Sequence, residues 1–325
     1  CHLLQFEPTM VMGLSDMRRI KRYQEQQKAK NLAECLAHGI THVRDAWHPD
    51  LGKNRALKER ISKRELPGPR ILQAVAVGPT GSYLQEKLSL VTKMVGLPQV
   101  DPSKDDAGAV AFPIDATERQ VRAAVDIAID ERGADVIKIG DEATSIMTRK
   151  PIPIMTIEQL SAVADQARRR GVQSTMHHSS VESFRRGVNA GVSSLAHEPW
   201  DALLTQDDVD AFKASGCIID PTVSVFYAIF SWKLAAARSN GHPELDRLTA
   251  FRDRTYTFAT IAEEYYVPEL RAFVMSTYER CTNCKTKMLG LIDQSGMLAW
   301  NTQAAKSFEN LCILYEHGVP MTTGN

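Results

Sequence analysis

The chain has 325 residues, of which 43% are hydrophobic and 24% are charged, so it can bury a large core as one domain. Lysine plus arginine and aspartate plus glutamate both number 39, and the zero net charge excludes the basic field expected of a protein that binds nucleic acid or an anionic membrane surface. Its apolar stretches fall short of the ~20 residues that span a bilayer, and its six scattered cysteines resemble no disulfide framework. These features predict a soluble protein with reduced thiols and a small-molecule partner. They favour the cytoplasm, while a signal peptide upstream of residue 1 stays open.

From residue 17 onward, helical stretches alternate with short β-rich runs, as in βα units built around a parallel sheet. The run from 78 to about 113 is too long for a simple connector and is predicted to be a loop that either carries function or is mobile. A capping-box-like TIEQ at 156–159 opens one of the helices, and a long helical stretch covers about 228–317. The predicted strands are 40–45, 71–77, 135–140, 172–177, 193–197, 217–223 and 319–323.

Strands of this length, separated by helices of 10 to 15 residues, suit either a (β/α)8 barrel or an open doubly wound sheet. No glycine-rich phosphate-binding turn follows the first predicted strand, which weakens the case for a nucleotide-binding sheet. A barrel needs one strand more than these seven, and residues 1–4 supply the tail of that strand. We therefore predict an α/β fold, a (β/α)8 TIM barrel over 1–325 as a single domain, truncated in its first strand and at the end of its eighth.

Three ionisable residues lie at the C-terminal ends of consecutive predicted strands: Lys138, His177 and His197. Active sites of (β/α)8 barrels are built at that rim, so these side chains are expected to converge. Strand alternation turns Lys138 and His177 into the barrel and leaves His178 against a helix, whereas the orientation of His197 stays open. Burial lowers the pKa of a lysine, and its neutral amine can serve as a nucleophile, a base or, after reaction with carbon dioxide, a carbamate ligand.

A family resemblance runs through nearly the whole chain. It is carried, in this order, by GITHVRD, LPGPRIL, GADVIKI, TIEQLSAVADQARRRGVQSTMH, GVNAGVSSLAHE, KASGCIIDPTVS and HGVPMTTGN. These segments resemble the amidohydrolase superfamily of metal-dependent hydrolases. Within it, the chain is most similar to the branch of Xaa-Pro and related dipeptidases, which neighbours the imidazolonepropionases.

The resemblance implies a site for two divalent ions, such as Zn²⁺. His2 resembles the second histidine of the family's first-strand H-x-H pair. Lys138 matches the lysine that is carboxylated in this branch to bridge the two metals, and His177 and His197 match the ligands from the next two strands. The first H-x-H histidine and the eighth-strand aspartate are expected just outside the chain, which would make it an incomplete catalytic barrel without the family's flanking β-sandwich segments.

In the mechanism that the resemblance implies, a metal-activated hydroxide attacks a carbonyl, and the eighth-strand aspartate passes a proton to the leaving nitrogen. Tyr227 lies near the place of a substrate-binding tyrosine of this branch, with Phe226 as the competing position. The loop GPTGSYLQE lacks the histidine that the family carries there, which puts substrate contacts from this loop in doubt.

The expected activity is hydrolysis of the amide C–N bond of a dipeptide or an N-acyl amino acid. One alternative is a cyclic-amide or imidazolone hydrolase with one metal, against which Lys138 argues because a single ion needs no bridging lysine. A non-catalytic ligand-binding barrel is the alternative of another class, and it is favoured if the complete protein lacks the first H-x-H histidine or the eighth-strand aspartate. Assembly into a homo-oligomer stays open.

Overall fold

The structure is a computed structural model that describes residues 14–48, 50–85, 101–145, 150–222, 267–268, 271 and 300–322; for 14–25, 84 and 300–305 only the backbone is described. The strands are β1 (His42–Asp45), β2 (Arg70–Pro79), β3 (Ala109–Phe112), β4 (Val136–Gly140), β5 (Gln173–His177), β6 (Ser194–Ala196) and β7 (Ile218–Asp220). The helices are α1 (Leu14–Ala37), α2 (Leu51–Ser62), α3 (Glu118–Asp130), α4 (Ile157–Arg169), α5 (Val181–Ala190), α6 (Gln206–Ser215) and α7 (Trp300–Glu316). A short 3-10 turn covers Tyr83–Gln85.

The predicted capping box at the start of α4 is confirmed. Thr156 Oγ1 accepts a hydrogen bond from the N–H of Gln159 at 3.2 Å, and Gln159 Oε1 accepts one from the N–H of Thr156 at 3.0 Å. The Gln159 amide also donates to the carbonyl oxygens of Ile114 and Ala116, both at 3.0 Å. One side chain therefore begins the helix and ties it to the segment before α3.

All the described strands pair in parallel, in the order β1-β2-β4-β5-β6-β7. Apart from β3, each strand lies beside its neighbour in sequence, with no reversal of strand order of the kind that defines a doubly wound sheet. Strand β3 was not predicted: it lies inside the expected loop, and its four residues pair with the end of β2 from Ala76 to Pro79. Strand β4 pairs with the earlier part of β2, from Ala74 to Ala76.

The sheet is curled like the wall of a barrel. Strands β1 and β7 are five neighbour steps apart, which in a flat sheet would separate them by roughly 24 Å. Arg44 of β1 nevertheless donates a hydrogen bond to Ser194 Oγ at 3.0 Å and contacts the carboxylate of Asp220 in β7. Side chains from opposite ends of the sheet therefore meet across its concave face.

The predicted strand at 319–323 reaches this sheet at one point within the described residues, a parallel bridge between Met321 and Ile219 of β7. The N–H of Thr322 donates to the carbonyl of Ile219 at 3.0 Å, and residue 323 lies outside the described residues. At the other end, β1 pairs with β2 alone among the described strands. The described part is therefore a curled parallel wall that does not close fully.

The two faces of the sheet differ in chemistry. Ile137, Ile139, Met176, Leu195 and Ile219 are fully buried in one apolar cluster with residues of α3, α4, α5 and α6. Alternation places polar residues of the same strands on the concave face. No helix among the described residues has the length and apolar character needed to cross a membrane. The cysteines within that part of the chain, Cys35, Cys217 and Cys312, are free thiols.

Candidate metal centre

His177 and His197 come together at the carboxyl ends of adjacent strands. His177 is the last residue of β5, and His197 directly follows β6, whose Ala196 pairs with His177. Their ring centroids are 4.7 Å apart, with the rings edge to face at 83°. The two imidazoles that the sequence placed on neighbouring strands are thus in direct contact.

His197 reaches this position through an unusual backbone conformation. Alternation along β6 would place it on the same face as Leu195, which points into the apolar cluster. Its φ of 80° lies in the left-handed region and changes the direction of the side chain. The N–H of His197 donates to the carbonyl of Asp220 at 3.0 Å, and its Nδ1 is hydrogen-bonded to Thr222 Oγ1. These contacts from the end of β7 hold the ring beside His177.

The carboxylate of Glu198 connects the backbone after β7 to α7 next to His197. Its Oε1 accepts a hydrogen bond from the N–H of Thr222 at 3.2 Å, and its Oε2 accepts one from Ser307 Oγ of α7 at 3.1 Å. Burial raises the pKa of Glu198 to about 7, and these hydrogen bonds oppose the shift. Glu198 therefore connects the ends of β6 and β7 to α7.

Tyr83 and Glu142 flank His177, and neither was singled out from the sequence. The Tyr83 ring is stacked on His177, with centroids 4.3 Å apart and planes 1° from parallel. Glu142 Oε1 lies 3.3 Å from His177 Nε2, and Glu142 Oε2 accepts a hydrogen bond from Ser179 at 2.8 Å. The available signals were weak: Tyr83 stands in the glycine-rich loop after β2, and Glu142 stands two residues after the end of β4.

Lys138 is buried on the same face of the sheet as His177. It pairs with Thr175, whereas Gly140 pairs with His177, so the two layers are about 6.6 Å apart along the strands. Burial and the positive charge of Arg44 lower the pKa of Lys138 to about 8, and the negative charge of Asp220 opposes this shift. At neutral pH, a larger fraction of Lys138 is therefore in the neutral amine form than of a surface lysine.

His178 lies on the other side of β5, as expected from alternation. Its ring packs at 66° against Phe184 of α5, with centroids 5.8 Å apart. Burial, followed by the charge of His177, lowers the pKa of His178 to about 3. Backbone hydrogen bonds with Ser180 and His197 only partly oppose this shift. His178 is therefore a neutral side chain of the apolar layer.

The described residues supply part of a metal-ligand set. They contain no group of three or more His, Cys, Asp and Glu side chains placed to hold an ion. His2, Tyr227 and Phe226 lie outside the described residues. His177 Nε2 is buried without a hydrogen-bond partner among the described residues, as a free imidazole ligand would be. Imidazole nitrogens and carboxylate oxygens are ligands that suit Zn²⁺.

No protein-family model and no curated protein matches the chain. Among solved structures, it resembles an amidohydrolase with a TM-score of 0.55 at 18% identity, over 100% of this chain and 63% of that one. A prolidase complexed with N-methylphosphonate-L-proline gives 0.53 at 20% identity, over 100% and 63%. The A. niger ochratoxinase gives 0.54 at 16% identity, over 94% and 56%.

The chain spans less than two thirds of the length of each of these proteins. The neighbours are members of the amidohydrolase superfamily and include the prolidase branch, in agreement with the resemblance seen in the sequence. At these identities, the likeness shows a shared fold.

Proposed function

We propose that this chain is the catalytic barrel of a metal-dependent hydrolase that cleaves the amide C–N bond of a dipeptide or an N-acyl amino acid. The observation that carries the proposal is the contact of His177 with His197 at adjacent strand ends, on the sheet face where Lys138 is buried. The carboxyl end of a parallel barrel is where such enzymes bind their substrates. The fold shared with amidohydrolases and prolidases supports the same reaction class.

In this proposal, His2, His177, His197 and carboxylated Lys138 would hold two divalent ions such as Zn²⁺. The ions would supply Lewis acidity and would lower the pKa of bound water to about 7. A carboxylate from the eighth strand, which the resemblance implies, would complete the set. Tyr227 would contact the substrate.

The surroundings of Lys138 favour its carboxylation. With a pKa of about 8, roughly a tenth of the side chain is the neutral amine at pH 7. The amine nitrogen forms a bond to the carbon of carbon dioxide and releases a proton, which leaves a carbamate anion. The positive charge of Arg44, which disfavours the ammonium form, would attract this anion. Asp220, which is paired with Arg44, would oppose this attraction.

The test is metal analysis of the full-length protein, combined with hydrolysis of a panel of Xaa-Pro dipeptides and N-acetyl amino acids. Lys138→Met, His177→Asn and His197→Asn are each expected to lower bound zinc and to reduce hydrolysis by at least ~100-fold, because metal ligands are lost. His38→Asn, at an exposed position, is the control and should retain both. A ¹³C signal from labelled bicarbonate should be present in the wild type and absent in Lys138→Met.

Two bound ions would support the dipeptidase-like reading, whereas one ion with activity on a cyclic amide would favour the imidazolone-hydrolase alternative. A full-length protein that binds no metal, or a Lys138→Met variant with unchanged metal content and hydrolysis, would contradict the proposal.

A further inference from the structure

Two buried polar atoms face each other beside the histidine pair. His177 Nε2 and Glu142 Oε1 are 3.3 Å apart, and their side chains are 8% and 10% exposed. Neither atom makes a hydrogen bond with any described residue. Leaving such atoms unsatisfied in the interior destabilises the folded state. We therefore expect a ligand that binds to both atoms.

The remainder of each side chain is held by other contacts. Ser179 donates a hydrogen bond to Glu142 Oε2 at 2.8 Å, and Tyr83 covers one face of the His177 ring. The backbone is fixed as well, because the N–H of Asp141 donates to the carbonyl of His177 at 3.0 Å. The Asp141 carboxylate accepts two hydrogen bonds from Arg186, at 2.9 and 3.0 Å. Glu142 is thus placed beside His177 by a rigid support, as ligand positions generally are.

The distance between the two atoms fits a shared metal ion. Bonds of about 2.0–2.1 Å from a nitrogen and an oxygen to one tetrahedral Zn²⁺ place those two atoms about 3.3 Å apart. A protonated His177 paired with Glu142 would instead be expected to form a hydrogen bond along the ring N–H, and the pair makes none. The geometry therefore fits two ligands of one ion better than an ion pair.

We propose that Glu142 is a metal ligand, binding through Oε1 the ion that His177 binds through Nε2. It is an additional ligand, because the resemblance assigns ligand positions to His2, Lys138, His177 and His197 alone within the chain. The inference rests on the proposed function in one respect: a divalent ion must bind at His177. Glu142 would add a negative charge next to that ion and strengthen its binding.

The test is the zinc affinity of the full-length protein, measured by competition with a chelating dye. Glu142→Gln keeps the size of the side chain and removes its charge, and it should weaken the tightest zinc site by at least ~10-fold. Glu131→Gln removes the same charge from an exposed position at the end of α3 and should leave the affinity unchanged. An unchanged or tighter affinity in Glu142→Gln would overturn the inference, because loss of a simple ion-pair partner would free His177 for the metal.

A second variant and a spectroscopic readout cover the case in which Glu142→Gln does not fold, as judged by circular dichroism. Glu142→Asp keeps the carboxylate and shortens its reach by one methylene. With Co²⁺ in place of zinc, the visible absorption of Glu142→Asp should differ from that of the wild type and of Glu131→Gln. Identical spectra would overturn the inference while leaving the proposed function in place, whereas a wild type that binds no metal would remove both.

Discussion

His197 holds a backbone conformation that most side chains avoid, and its ring contacts explain why it can be retained. A residue other than glycine in the left-handed region costs about 1–2 kcal/mol, and such strain is concentrated at functional sites. Here the conformation, with φ at 80°, places the imidazole against His177 and within hydrogen-bonding contact of Thr222. The cost in stability is therefore coupled to the geometry of the candidate metal centre.

Because of this strain, we expect glycine to be more favourable than alanine at residue 197, which is the reverse of their order in a helix. In the metal-free protein, His197→Gly should be more stable than His197→Ala by about 1 kcal/mol, because glycine tolerates a positive φ and alanine does not. The measurement is urea unfolding of both variants.

Ala123, an exposed residue in the middle of α3, provides the control for this pair. Ala123→Gly should lower stability by about 1 kcal/mol, because glycine is the poorer residue in a helix. An alanine variant at 197 as stable as the glycine variant would show that the left-handed conformation is not populated.

At the scale of elements, helix α5 approaches β5 and β6 closely through Gly187. A Cβ atom at this position would lie 2.5 Å from Met176 Cε and 2.7 Å from Leu195 Cδ2. Both of those residues are fully buried, so they have little room to move. The absence of a side chain at 187 therefore sets the spacing between the helix and the strands that present His177 and His197.

Gly187→Val should destabilise the protein by about 1–3 kcal/mol, because the new methyl groups overpack the interface with Met176 and Leu195. Asn189→Val places the same residue on the exposed side of α5 and should have a much smaller effect. Thermal unfolding of the two variants, measured side by side, gives the comparison. Equal losses would mean that helix propensity, rather than packing against the sheet, limits this position.

At the scale of the whole molecule, Asp220 connects distant parts of the curled sheet. It contacts Arg44 of β1 and accepts a hydrogen bond from Thr322 Oγ1 at 2.6 Å. The side chains of Arg44 and Asp220 are 23% and 6% exposed, so solvent screens the pair only in part. The pair fixes the curvature of the wall, because it joins strands that lie five steps apart in the sheet.

The stability losses caused by removing the two partners should therefore not add. Asp220→Leu is expected to destabilise the protein by about 2–4 kcal/mol, somewhat below the range for fully buried pairs, because it removes an acidic partner of the partly buried Arg44 charge. The double variant Arg44→Met with Asp220→Leu should lose less than the sum of the two single variants in urea unfolding.

Glu59→Gln, which disrupts the exposed pair with Lys63, should leave stability essentially unchanged and is the control for this cycle. Strictly additive losses at Arg44 and Asp220 would show that the two residues are not coupled across the sheet.

Much of the fold was predictable, because its signals are local. Hydrophobic periodicity within each element indicates whether it is a helix or a strand. The capping box at Thr156 is formed by residues within a stretch of four. The placement of Lys138 and His177 on one face of the sheet followed from the same alternation, although Lys138 lies two residues before the end of β4 rather than at it, and their roles as metal ligands stay predictions. Strand β3 was missed because its four residues are too few to show a period of their own, and they form a strand by pairing with the end of β2.

By itself, then, the sequence determined the α/β order, the parallel sheet and the placement of two histidines on neighbouring strands. Only the tertiary structure decided the orientation of His197, the stacking of Tyr83 on His177 and the approach of Glu142 to the His177 ring. The physical reason is that periodicity reports on which face of an element is buried. A reversed backbone angle or a contact between segments distant in sequence depends on how the sheet curls and on which strands meet.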